Sequence, residues 1–194
     1  MLGRKIGIPY AQYLAEEAVS QEKHEWYDGH VIAMAGGTEE HAVLGASIIG
    51  VLARGGPNPT FRVLSAQMRV RCAETGPATY PDASIVCGKR LPHPEDKDAC
   101  RNPTSLFEVL SPTTEGYDRR EKLDHYQTIA SLRDYVLVAT GRNHIDHYSR
   151  DESGVWTRRG YGPGESFSLT GVEVTLSIDA IYTGVEAVRE VAEG

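Results

Sequence analysis

Apolar residues recur along the chain with two different periods, and the switches between them mark out the elements. Over residues 10–23, Tyr10, Tyr13, Leu14 and Ala18 form a weak stripe at helical spacing and predict a first helix. The segment HEWYDGHVIAMAGG follows. It sets Trp26 and Tyr27 before Asp28-Gly29, and Val31 and Ile32 after it, which is the pattern of a two-residue hairpin. Thr38, after Gly36-Gly37, is placed to cap a helix running to about Arg54 with Leu44, Ile48, Val51 and Leu52 on its buried face. Gly55-Gly56-Pro57 is its expected stop.

From Phe61 onward the period shortens, and FRVLS, AQMRVRC, TYPDASIVC and SLFEVLS read as strands. KRLPHPEDKDACRNP, rich in proline and charge, reads as a loop and is expected to be a plain insertion rather than a lid. Residues 118–131 predict a helix with Leu123, Tyr126 and Ala130 turned inward. DYVLVAT is a buried strand, NHIDHYSR and GVWTRRGY form a hairpin, and residues 171–178 hold a last strand before a short helical tail. This order implies an α/β domain with a mixed central sheet flanked by helices, carrying an N-terminal hairpin and helix. At 194 residues the chain is expected to be one domain over 1–194, with short flexible tails near 1–9 and 186–194.

Composition narrows the function classes. With 40% hydrophobic and 24% charged residues the profile is that of a globular protein, and no apolar run nears the ~18 residues that span a bilayer. A start lacking an apolar signal core, and three widely spaced cysteines (Cys72, Cys87 and Cys100), lead to the expectation of a soluble cytoplasmic protein with core thiols. The net charge of -7 runs against nonspecific nucleic-acid binding unless basic residues gather locally. Arg62, Arg69, Arg71, Lys89, Arg90, Arg119, Arg120, Arg158 and Arg159 are the candidates.

Two acids are hard to explain by folding alone. Glu108 lies within the apolar run SLFEVLS, where an unpaired carboxylate costs several kcal/mol to bury. Alternation puts it on the face of Leu106 and Leu110, with Phe107 and Val109 opposite. Asp82 follows Pro81, which cannot donate to a sheet, so Asp82 belongs near a strand beginning or edge. On adjacent strands the two carboxylates would repel unless a cation intervened, and a hard cation such as Mg²⁺ would hold both. Lys122 stands one helical turn after Asp118, where its ammonium would stabilise charge on a phosphoryl group under attack. A structural salt bridge for Glu108 and a surface Asp118–Lys122 pair are the plainer readings.

YPDASIVC, FEVLSPTT and YDRREKLDHYQTIASLRDYVLV, together with the earlier HEWYDGHVIAMAGGTEEHAVLGASIIGVL, resemble the motifs of the Uma-type family of restriction-endonuclease-like proteins in the PD-(D/E)XK nuclease superfamily. The resemblance spans nearly the whole chain. It implies a restriction-endonuclease-like fold and a Mg²⁺- or Mn²⁺-dependent endonuclease acting on nucleic acid, with DNA favoured. By the same resemblance Asp82 is the metal-binding aspartate and Glu108 the second acid. The lysine that usually stands two residues after the second acid is replaced by Leu110, and Lys122 matches the family's relocated lysine. Glu25 resembles a recurrent family acid that completes or orients the metal shell, the alternative being a structural strand glutamate. His41 is placed to contact phosphate or organise water, or is simply a hydrogen-bonded histidine.

Other chemistries fail on spacing. GASIIG is not a nucleophile elbow, no phosphate loop or dinucleotide fingerprint occurs, and His144 and His147 fall on opposite faces of a strand. Two alternatives stay open: a nucleic-acid- or partner-binding module with weak or no catalysis, and a metal-dependent hydrolase of another phosphate ester. Duplex cutting needs two sites, so a homodimer is expected, with Trp156 and Tyr161 as its apolar surface.

Overall fold

The computed structural model describes residues 4–5, 7–34, 37–54, 61–72 and 76–193. A short strand β1 (Arg4–Lys5) precedes helix α1 (Tyr10–Glu17), the hairpin β2 (His24–Tyr27) and β3 (His30–Ala33), and the long helix α2 (Glu39–Arg54). Then come β4 (Phe61–Ser65), β5 (Arg69–Arg71), β6 (Ala78–Thr79), β7 (Ala83–Cys87), β8 (Pro92–His93), β9 (Asp96–Cys100) and β10 (Ser105–Val109). Helices α3 (Glu115–Asp118) and α4 (Glu121–Gln127) lead to β11 (Asp134–Val138) and the hairpin β12 (Ile145–Arg150) and β13 (Trp156–Tyr161). The chain closes with β14 (Ser166–Ser168), β15 (Thr175–Ser177), α5 (Ile178–Ile181) and α6 (Val185–Glu193).

The expected mixed sheet is present, with the order β13-β12-β11-β10-β7-β4 and one parallel pair, β10 with β11. It is not alone. A second sheet, β1-β3-β2-β6-β5-β9-β8, packs beside it, and β14 and β15 pair separately. The alternation in β10 sorts its side chains as expected. Phe107 and Val109 join the cluster under α2, with Leu44, Ile48 and Leu52, while Leu106 and Leu110 join Leu123, Tyr126 and Ile129 of the opposite layer. Val70 and Cys72 of the second sheet close that layer. Each fully buried aliphatic side chain here contributes about 1.5–3 kcal/mol, so both layers are needed to hold β10 between them.

Local chemistry explains several boundaries. Asp28 and Gly29 both take positive φ (46° and 75°), the primed turn that matches the twist of β2 and β3. The Thr38 hydroxyl accepts the His41 N–H at 3.2 Å and caps α2, whose predicted glycine-proline stop lies outside the described residues.

Several elements differ from expectation. Helix α1 ends at Glu17 rather than residue 23, because the Ser20 hydroxyl bonds the backbone of Glu22 and turns the chain, which leaves Ala18 exposed. The supposed insertion is the β8–β9 pair, and β9 runs parallel to β5 because Asp96 is anchored by Arg69. The predicted helix over 118–131 is broken into α3 and α4. The Tyr135 hydroxyl donates to the Asp118 carbonyl at 3.0 Å, taking the acceptor that a continuous helix would offer residue 122. Past the second break Ile129 is buried and Ala130 is exposed. Finally, Tyr161 is a core residue and Trp156 packs against the α4 layer, so neither is the free apolar surface expected for a dimer. The segment expected as a C-terminal tail is helix α6, docked through Arg189 to Glu40 and Asn143.

Candidate active site

Glu108 sits mid-strand on β10 with its carboxylate pointing into the seam between the two sheets and α4, and it is 5% exposed. Lys122, on the first turn of α4, places its ammonium 3.0 Å from Glu108 Oε1, 3.0 Å from Glu25 Oε1 of β2 and 3.5 Å from Asp118 Oδ1. Asp118, the last residue of α3, and Lys122, on the first turn of α4, meet across the helix break at i,i+4 spacing. Asp82 stands immediately before β7, and its Oδ2 accepts the Val109 N–H at 2.7 Å, next to Glu108 on the neighbouring strand. His41, on the first turn of α2, reaches the same oxygen at 3.6 Å through Nε2. All six residues singled out from the sequence, namely Asp82, Glu108, Lys122, Glu25, His41 and Asp118, are thus gathered within one connected cluster.

Three further groups belong to it that sequence reasoning treated as core or passed over. The Tyr126 hydroxyl donates to Glu108 Oε1 at 2.9 Å and lies 2.8 Å from Thr79 Oγ1. Tyr80 donates its backbone N–H to Glu25 Oε1 at 3.3 Å. The Tyr117 ring lies 5.9 Å from the Lys122 ammonium, and burial together with nearby Glu25 pushes its phenol pKa up. Tyr126 sits at helical spacing beside Leu123, a pattern that apolar packing alone explains, so only the cross-sheet approach to Glu108 reveals its polar end.

The electrostatics are those of an overfull acid site. Burial raises the Glu108 pKa well above the usual carboxylate range. Lys122 opposes this, and Asp118, Asp82 and Glu25 add to it. Burial also raises that of Asp82, against the pull of His41 and the Val109 N–H. For Lys122 burial works downward, but Glu108, Glu25, Tyr126 and Asp118 outweigh it and hold the ammonium charged.

Carboxylate oxygens are the ligands that Mg²⁺ and Mn²⁺ prefer, and Glu25, Asp82, Glu108 and Asp118 outnumber the cationic groups beside them. Hard oxygen donors with a deficit of positive charge fit such an ion. Among the described residues no three acidic, histidine or cysteine side chains already converge on one point, because the Lys122 ammonium stands between Glu25, Glu108 and Asp118.

Most of the candidate basic residues have partners within the fold. Arg69 is buried against Asp96, Arg119 and Arg158 both bind Asp146, Arg71 is stacked 4.0 Å from the Tyr10 ring centre, and Arg62 and Arg90 donate to backbone carbonyls. Lys89, Arg120 and Arg159 are exposed. Among the described residues no helix is long and apolar enough to cross a membrane.

The fold is that of a restriction-endonuclease-like protein. A solved structure from Anabaena variabilis, described as a "putative nuclease belonging to DUF820", shares the fold with a TM-score of 0.69 at 15% identity, covering 86% of this chain and 93% of that one. Residues 10–180 match the family model Uma2, described as "Putative restriction endonuclease", and the chain belongs to that family. Two uncharacterized proteins of Synechocystis sp. are similar along most of their length. One is 29% identical over 177 residues, 90% of each chain; the other is 27% identical over 146 residues, 75% of this chain and 82% of its own.

Proposed function

We propose that the chain is a metal-dependent endonuclease that hydrolyses phosphodiester bonds in DNA, with Mg²⁺ or Mn²⁺ as its cation. The observation that carries this reading is the charge imbalance. Three carboxylates contact a single ammonium, with Asp82 beside them, in a seam where burial already makes the ionised carboxylates costly. A structural ion pair would be balanced. Membership of a family described as "Putative restriction endonuclease" supports nucleic acid as the substrate.

In this reading Asp82 and Glu108 hold the cation, with Glu25 and Asp118 adding negative charge around it. A bound divalent ion supplies a water of lowered pKa and polarises the phosphoryl oxygen. Lys122 offers its ammonium to the negative charge that builds on the phosphoryl group. Asp82 is kept in place by the Val109 N–H, and His41 approaches the same oxygen from α2, on the side where it would meet a phosphate. Cutting both strands of a duplex calls for a second copy of the site, hence a pair of chains.

One observation favours a second reading. With Lys122 already bridging three carboxylates, the seam is also self-sufficient enough to serve a nucleic-acid- or partner-binding module without turnover. The two separate when single-stranded DNA, duplex DNA and RNA are each incubated with the purified protein and Mg²⁺, Mn²⁺ or EDTA, beside Asp82→Ala. The nuclease reading expects cleavage that needs the metal and disappears in the variant. Cleavage indifferent to both sinks it, and binding without cleavage supports the module.

A further inference from the structure

We propose that Thr79 and Tyr126 form a hydroxyl relay that positions Glu108, reserving one of its two oxygens for the cation. The inference rests on the metal-dependent reading above and adds two positioning residues to it.

Tyr126 has one hydroxyl proton and two partners. It donates to Glu108 Oε1 at 2.9 Å, so the contact of 2.8 Å with Thr79 must run the other way, with the Thr79 hydroxyl donating to the phenol oxygen. Proton direction is therefore set along the whole line from Thr79 Oγ1 through Tyr126 to the carboxylate. Both hydroxyl groups are buried, Thr79 at 1% exposure and Tyr126 at 0%, so water does not compete for them.

The relay acts on one oxygen only. Oε1 of Glu108 receives Tyr126 and is the oxygen nearest the Lys122 ammonium, whereas Oε2 takes no hydrogen bond among the described residues. A carboxylate on a rotatable stem otherwise presents either oxygen, or both. Two donors on Oε1 hold the group in one orientation and leave Oε2 as the free hard donor. Thr79 belongs to β6 of one sheet and Glu108 to β10 of the other, so the relay also sets the carboxylate's orientation from across the seam. A tyrosine serving only as filler in the α4 layer needs none of this.

The test is a Mn²⁺ titration of the full chain, read by the electron paramagnetic resonance signal of the free ion, for wild type, Tyr126→Phe, Thr79→Val and Thr79→Ser. Outer groups that orient metal ligands typically matter about 10- to 100-fold in affinity, so Tyr126→Phe is expected to weaken Mn²⁺ binding by about tenfold. Thr79→Val, which loses one hydrogen bond further out, is expected to weaken it by about threefold, and Thr79→Ser to restore it. Thermal unfolding checks that each variant is folded. If Tyr126→Phe is not, the comparison of Val with Ser at position 79 decides, since both keep the phenol. Binding equal to wild type in both Tyr126→Phe and Thr79→Val overturns the relay and spares the metal-dependent reading. So does equal weakening in Val and Ser, which would mark a packing contact. A wild-type chain that takes up no Mn²⁺ overturns both.

Discussion

Two buried clusters of charge lie close together in this molecule and behave in opposite ways. Arg69 is matched one to one by its carboxylate. The guanidinium meets Asp96 in a two-pronged pair at 2.7 and 2.9 Å, its third edge reaches the Tyr80 hydroxyl at 2.6 Å, and Tyr10 donates to the same aspartate at 2.8 Å. Around Lys122 the sum does not close, since Glu25, Glu108 and Asp118 share one ammonium and Asp82 stands beside them with only an imidazole. Burial tries to raise both Asp96 and Glu108. It loses at Asp96, where the Arg69 and Tyr10 hydrogen bonds hold the carboxyl below its usual value, and wins at Glu108. A balanced cluster of buried charge reads as architecture; an unbalanced one reads as a place awaiting a ligand.

The contrast can be broken most directly at Glu108. Glu108→Gln keeps an oxygen for Tyr126 and Lys122 but removes the negative charge, so metal-dependent cleavage should fall on the order of a thousandfold. Thermal unfolding without metal should occur at the same temperature or higher, because one costly buried charge is gone. A lower unfolding temperature would place Glu108 with the architectural acids.

Asp96→Asn should do the reverse. Breaking one side of a buried ion pair costs about 3–5 kcal/mol, read as a shift of the urea midpoint, while Mn²⁺ affinity stays at the wild-type value. Weakened metal binding in a folded Asp96→Asn protein would show that the two clusters are coupled.

Acid sharpens the same distinction. The Asp96 carboxyl has a folded pKa below its unfolded one, so its stabilisation is fully present above the ordinary carboxylate value and is lost as pH falls through the depressed one. Glu108 has the opposite sign. Without metal its contribution is most favourable below the ordinary value and declines as pH rises toward the raised one. Unfolding free energies of wild type and Asp96→Asn should therefore approach one another as pH falls below the ordinary carboxylate value and separate as pH rises. A gap that is constant with pH would contradict this.

The smallest effect is expected from Lys122→Met on metal affinity. The ammonium is proposed to meet charge on the phosphoryl group, and Tyr126 still holds Glu108 Oε1 in the variant, so turnover should drop while Mn²⁺ binding changes by less than about threefold. If cleavage and binding both survive, Lys122 is a structural counter-ion.

The sequence carried much of this because its signals are local or periodic. Alternation along SLFEVLS placed Glu108 with Leu106 and Leu110, Pro81 put Asp82 at a strand beginning, and Asp28-Gly29 marked the hairpin that delivers Glu25. What escaped depends on partners distant along the chain. Asp96 looked like a loop acid until Arg69 and Tyr10 met it, and the helix over 118–131 looked continuous because nothing local discloses that Tyr135 takes the Asp118 carbonyl. Tyr126 kept its apolar appearance for the same reason. Periodicity records which face of an element is buried, and the residues themselves determined that much: the strands, the acids and the lysine. Which buried polar atoms touch across two sheets, and whether their charges cancel, depends on distances of a few ångströms between remote segments, and only the tertiary structure decided that.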